Sequence, residues 1–357
     1  MKKRIFSIVM LIVLVSSLVV FSGCGKKEKT NVIKIGVILP LTGPFSAFGE
    51  EYKRSINLAL ENILCEKKIE IYFEDGMGDV KSSISAYKKL NLQNNPDIVI
   101  SIMSNVCLAL KPIIEKNNQI FFAEVSHPDM LENNNGNIFR HSQTSIQEAQ
   151  IISDYLKRDN KRIFCLVPND DYYSSLISEL NKEQVIYRSF TYNKKEYTKN
   201  DIQKLINIIN NEKDVLLFLG GYGSELGNII RDSRINGYKN DIITSVSSFI
   251  LPGVKEFAGD SFKNIYAPYF VLDSLDIEYS KVNQKYLNKY NRQMPIYSLL
   301  EYNTMFLIIN SLNNINNFSI NNVANYLINL KKLNGVGEIM IINKNGDINP
   351  KLQIIEM

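Results

Sequence analysis

From residue 32 onward the chain alternates between two spacings of apolar residues. Residues 32–39 form a nearly unbroken apolar run, Val-Ile-Lys-Ile-Gly-Val-Ile-Leu, stopped by Pro40, with Gly43-Pro44 just beyond. That is the pattern of a buried strand closed by a turn. From Phe48 the spacing changes, and Tyr52, Ile56, Ala59 and Ile63 fall on one face of a helix. The pattern then predicts a strand over 68–75, a helix striped by Val80, Ile84, Tyr87 and Leu90, and a strand over 97–103. A helix over 106–116 and a strand over 119–125 follow. Connections this short force parallel strands with right-handed crossovers.

The rhythm restarts after Gln143-Thr144-Ser145. A helix over 146–157 leads into a strand over 162–167, then helix 173–182, strand 184–192, helix 199–211, strand 214–219, helix 224–235 and strand 241–246. Two similar α/β halves result. The remainder is more helical, over 278–292, 298–314 and 319–330. A Gly-rich turn at Asn334-Gly335-Val336-Gly337 and a closing hairpin with the loop Asn345-Gly346-Asp347 end the chain, Asn-Gly being a strong hairpin signal. There is no tandem short repeat, and the abundance of Asn reads as base composition.

Residues 1–23 stand apart. Lys2, Lys3 and Arg4 precede an apolar run from Ile5 to Phe21 broken only by Ser7, Ser16 and Ser17, and Ser22-Gly23 lead to Cys24. This is the order of a secretory signal peptide. The junction resembles a bacterial lipobox, in which the peptidase cuts before the Cys and the Cys is lipidated; Phe21 stands where Leu is usual. Residues 24–31 then read as lipidated Cys24 and a polar, flexible tether. The alternative is an uncleaved anchor, since about 17 apolar residues is the lower limit for crossing a bilayer. Either way the body is expected outside the cytoplasm, held to the membrane.

Composition sharpens this. With 45% hydrophobic and 22% charged residues, disordered and fibrous classes are excluded. The formal charge of +4 owes three charges to Lys2, Lys3 and Arg4, leaving about +1 on the other 334 residues. A body so near neutrality has no field to steer nucleic acid. Cys65, Cys107 and Cys165 are widely spaced without a CxxC pair, and read as buried small hydrophobes, with one bridge among them as the alternative. The two histidines, His127 and His141, lack a partner at metal-ligand spacing. Hydrolase, metalloprotease and P-loop motifs are missing, and Gly221-Tyr222-Gly223-Ser224-Glu225-Leu226 departs from a dinucleotide fingerprint at Leu226. The expectation is a binder without cofactor or metal, not an enzyme.

Its ligand would sit where the loops at the carboxyl ends of the strands meet. Those loops are Leu41 to Gly49, Ser104-Asn105, Glu124 to Pro128, Asn169 to Tyr173, Gly220 to Tyr222, and Ser247-Ser248. Ser104-Asn105 opens a helix, which favours a carboxylate or other acceptor. Ser, Asn and Asp also serve as caps and turn residues whatever the ligand.

Ile33 to Pro44 with Phe48-Gly49, Phe73-Glu74-Asp75, Phe139-Arg140, Phe218 to Gly237 and Gly335 to Asp347, in that order, resemble the leucine/isoleucine/valine-binding family. These are type I periplasmic substrate-binding proteins of ABC transporters, and the resemblance spans residues 32–350. It implies an α/β fold of two Rossmann-like lobes joined by three crossovers, one lobe 32–143 plus 271–331, the other 144–270 plus 332–357. It also implies a monomer that closes on a small amino-acid-like or amide-like ligand and serves an ABC permease and its ATPases. A surface receptor of the same fold, not coupled to a permease, is the alternative. By the same resemblance Ser104, Asn105, Glu124 and Ser126 fall where the ligand's carboxylate is gripped, and Phe48, Tyr173 and Tyr222 where aromatics close over it. Two departures stand out. Asn105 replaces a hydroxyl and Glu124 a small residue, so Glu124 turns away, or meets a different ligand, or receives an ammonium. The acid that would pair with the ammonium aligns near Ser247, where no acid stands.

Overall fold

The computed structural model describes residues 32–357 apart from 133, 194–198 and 274; the expected signal peptide, Cys24 and tether lie outside the described residues. The apolar run Ile33–Leu39 is β1, an interior strand of a six-stranded sheet, and its Ile33, Ile35 and Val37 are fully buried. Beside it run β2 (Ile69–Asp75) and β3 (Ile98–Ile102), then β4 (Ile120–Glu124) and β5 (Ile138–His141). All pair in parallel. Both faces are covered, as a parallel sheet of continuous apolar strands requires. On one face lie α1 (Ser46–Asn62) and a later group of helices; on the other lie α2 (Val80–Asn94) and α3 (Ser104–Lys116).

A second sheet repeats the plan. It holds β6 (Arg162–Pro168), β7 (Ile186–Tyr192), β8 (Val215–Leu219), β9 (Ile242–Ile243) and β10 (Ile265–Phe270). Its helices are α4 (Ser145–Arg158), α5 (Asp171–Lys182), α6 (Lys199–Ile209), α7 (Gly223–Ile235) and the short α8 (Val254–Ala258). In both sheets the first strand lies between the second and third, so loops at the carboxyl ends diverge and leave a crevice.

The chain then returns to the first lobe through α9 (Ile277–Tyr290), α10 (Ile296–Asn313) and α11 (Ile320–Asn329), which join the core over β1. A small hairpin of β11 (Leu333–Asn334) and β12 (Ile339–Met340) follows, with Met340 and Val336 in that same core. Next, β13 (Asp347–Ile348) pairs in parallel with β5, and Arg140 clamps Asp347 through two 2.8 Å hydrogen bonds. The expected lobe boundary near residue 332 is therefore corrected: the third crossing comes after Ile348, and only β14 (Leu352–Glu356), antiparallel to β10, belongs to the second sheet.

Other differences have local causes. The strand expected over 241–246 stops at Ile243, because the hydroxyls of Thr244, Ser245 and Ser248 bond one another and the chain turns into a short 3-10 segment, Val246–Phe249. The Asn345-Gly346 turn forms, but its antiparallel flank is a single bridge between Ile342 and Ile348. Gly346 sits at φ +85°, where a Cβ would stand 2.5 Å from the carbonyl of Ile138. No helix among the described residues is long and apolar enough to cross a membrane.

Candidate functional site

The carboxyl ends of both sheets open onto a cavity of about 530 Å³ between the lobes. From the first lobe it is lined by Phe45, Phe48, Tyr52, Ser104, Asn105, Glu124, Ser126, Gln143 and Tyr297 among others. The second lobe contributes Asp170, Asp171, Tyr172, Tyr222, Ser247 and Phe249. The rings of Phe45 and Tyr222 meet across it edge to face, 5.7 Å between centroids, so the lobes touch at this point.

Ser104 begins α3 directly after β3. Met103 before it takes φ +75° and offers no side-chain cap, and the first helical hydrogen bond runs from the Cys107 N–H to the Met103 carbonyl. The N–H groups of Ser104, Asn105 and Val106 precede that bond and form the positive end of the helix dipole. A positive φ at a residue with a side chain carries strain, held here by the surrounding packing. The arrangement suits a carboxylate or another acceptor.

Glu124 ends β4 and is nearly buried in the cavity floor. Thr304 of α10 donates to its Oε1 at 2.9 Å, and Thr304 Oγ1 also lies 3.0 Å from Nδ1 of His141. On the far side of that ring Nε2 stands 3.1 Å from a Glu338 oxygen, an ion-pair distance without hydrogen-bond alignment. Burial pushes Glu124 up to about 7, against the pull of His141 and of the Thr304 hydrogen bond. Glu301, fully buried on α10, is raised well above the carboxylate range, first by burial and then by the charge of Glu124. Burial alone would lower His141, but Glu338, Glu124 and the Leu300 carbonyl together outweigh that and raise it.

Of the sequence-predicted residues, Phe48, Ser104, Asn105, Glu124, Ser126, Tyr222 and Ser247 line the cavity. Tyr173 does not. It is fully buried behind the wall, its hydroxyl accepting from the Gly221 N–H at 2.8 Å and bonding Ser245 at 2.9 Å and Ser248 at 3.2 Å. Gly220 makes room for its ring, since a Cβ there would stand 2.5 Å from it. The neighbouring Tyr172 takes the lining place, and its hydroxyl donates to Glu148 at 2.6 Å.

The sequence profile of the family described as periplasmic binding protein matches residues 32–357. The chain belongs to this family. It is a family of binding proteins, not of enzymes. A curated relative, Leu/Ile/Val-binding protein homolog 3 of Brucella melitensis, is 25% identical over 214 residues, 56% of this chain and 57% of that protein. The match thus spans little more than half the length of that relative. Among solved structures, a leucine binding protein of Thermotoga maritima superposes with TM-score 0.81 at 18% identity, over 91% of this chain and 95% of the other. The branched-chain amino acid transporter substrate binding protein of Streptococcus pneumoniae, solved with isoleucine, gives 0.79 at 18% identity, over 92% and 96%. At such identities they share the type I fold of two α/β lobes.

Sequence reasoning missed several lining residues of this periplasmic binding protein. Asp170 and Asp171 stand in a loop already marked as a candidate, and Asp170 is in part the cap that such loops supply: its Oδ1 accepts from the Tyr173 N–H at 2.9 Å, its Oδ2 from the Tyr222 hydroxyl at 3.0 Å. Tyr297 comes from α10, which is buried on almost every side and also carries Glu301 and Thr304 behind the lining. One acid in the run Ser-Leu-Leu-Glu-Tyr was the available signal. His127 lies outside the lining; its ring accepts from the Asp129 N–H at 3.4 Å. Cys65, Cys107 and Cys165 are free, and Cys65 is only partly buried, which corrects the expectation of three buried thiols.

Proposed function

We propose that this chain is an extracytoplasmic solute-binding lipoprotein, monomeric and anchored through lipid on Cys24. It closes two lobes on a small amino-acid-like or amide-like ligand and delivers it to an ABC permease and its ATPases. The supporting observation is the cavity itself, lined by the carboxyl ends of both sheets and bordered by the free helix terminus at Ser104. A ligand touching both lobes stabilises the closed arrangement over the open one, and the three crossings act as the hinge. Ser104, Ser126 and the α3 terminus take the ligand's acceptor end; Phe48 and Tyr222 cover its body. Calorimetry against amino acids, amides, short peptides and nucleosides tests this. A binder is expected, weakened about tenfold or more by Ser104→Ala or Tyr222→Ala. No binder, or undiminished affinity in both variants, overturns it. Cys24→Ala is expected to move the protein from the membrane to the soluble fraction.

A further inference from the structure

Charge in the cleft is one-sided. Glu124, Asp170 and Asp171 line it, and no Lys, Arg or His does so among the described residues. Asp170 is committed within its own lobe to the α5 cap and to Tyr222. Glu124 differs: Thr304 occupies Oε1, and among the described residues no hydrogen bond occupies Oε2. Behind it, both oxygens of the fully buried Glu301 lack a hydrogen-bond partner among the described residues. The groups that face Glu124 from neighbouring elements are Tyr52, Cys107, Arg140, His141, Glu301 and Glu338. Arg140 is clamped by Asp347 and His141 faces Glu338, so each cation already has its own carboxylate.

A buried carboxylate without a counter-charge is costly, and a cation arriving beside it relieves that cost. Next to Glu124 the rings of Phe48, Tyr52 and Tyr297 pack together, with centroids 4.7, 5.1 and 6.2 Å apart. Aromatic faces attract ammonium groups.

We infer that the ligand carries net positive charge, as an amine or a cationic amino acid, and that its ammonium group pairs with Glu124 against this aromatic wall. The inference rests on the solute-binding reading and narrows it to a substrate class. It also implies that a proton leaves: burial raises the Glu124 carboxyl toward neutrality, and a cation paired with it favours the ionised form.

The test is calorimetry at pH 7 in two buffers of different ionisation enthalpy, with L-lysine, L-arginine, agmatine and choline against L-leucine and L-glutamate. A cationic probe is expected to bind about tenfold or more tighter than L-leucine, releasing a fraction of a proton. Glu124→Gln, which keeps an acceptor for Thr304, is expected to abolish the proton release and weaken that probe about tenfold. Proton release is measured on the unaltered protein, so the test stands even if the variant does not fold. L-leucine or L-glutamate binding tighter than every cation overturns the inference while the solute-binding reading survives. Full affinity of the cation for the variant overturns it equally, and binding of none of the six overturns the inference while the solute-binding reading still stands or falls on the wider panel of amides, peptides and nucleosides.

Discussion

Glu124 in the first lobe and Glu148 in the second are both buried beside the cleft, and burial raises both to about 7. Glu148, on α4 of the second lobe, accepts from the Tyr172 hydroxyl at 2.6 Å and from the Val246 N–H at 2.9 Å. Both of its oxygens hold the cavity wall, fixing Tyr172 and the segment that carries Ser247. Glu124, in the first lobe, has one oxygen fixed by Thr304 and lines the cavity with the rest. The same desolvation thus serves two ends: a glutamate with two protein donors is a strut, and a glutamate with one is available to a ligand. A raised pKa alone would not tell them apart; the count of donors does.

Four substitutions separate the strut from the available group. The largest effect is expected for Glu148→Ala, which strands two buried donors and destabilises by about 2–4 kcal/mol in denaturant titrations at pH 6, where the acid is mostly neutral. Tyr173→Phe removes the acceptor of the Gly221 N–H and loosens the same wall, costing about 1–3 kcal/mol by thermal unfolding. Glu124→Gln is expected to change stability by less than about 0.5 kcal/mol at pH 5, since its amide oxygen still accepts from Thr304. Tyr222→Phe, which loses the hydroxyl's bond to the partly exposed Asp170, should change it by about as little. If Glu124→Gln proves as damaging as Glu148→Ala, the contrast between the two acids falls.

The pH dependence follows from the direction of the shifts. A carboxyl raised from 4.5 to about 7 on folding holds its proton more tightly in the folded state. Its contribution is full below pH 4.5 and is lost as pH rises toward 7, by up to about 3 kcal/mol for a shift of this size. Unfolding midpoints should therefore fall between pH 5 and 8, and Glu124→Gln should flatten part of that slope, becoming more stable than the parent at pH 8.

Periodicity made most of the fold legible. Residues 215–219 are a continuous apolar run and 33–39, 98–102 and 120–124 are nearly so, and a parallel strand buried on both faces can be little else. The strands that escaped notice were short or punctuated. β5 has four residues, and β10 contains Pro268, which ordinarily demotes a strand. The candidate loops were legible because polar and aromatic residues gather after strands. Which of two adjacent tyrosines faces the cavity was not, for one residue turns a helix by about 100° and the phase of α5 depends on its Asp170 cap. Nor could spacing bring Glu338 to Glu124, His141 and Thr304, since its place in the first lobe depends on the third crossing falling after Ile348.

The edge-to-face contact between Phe45 and Tyr222 bears on how long a ligand stays. Such a contact contributes about 0.5–1.5 kcal/mol, equivalent to about two- to tenfold in an equilibrium between open and closed lobes. Because the ring–ring contact itself runs from lobe to lobe, its share would act on every occupant alike, on top of whatever Tyr222 adds by touching the ligand. Residence time would then be set partly by a contact that exists whether the molecule is held well or poorly.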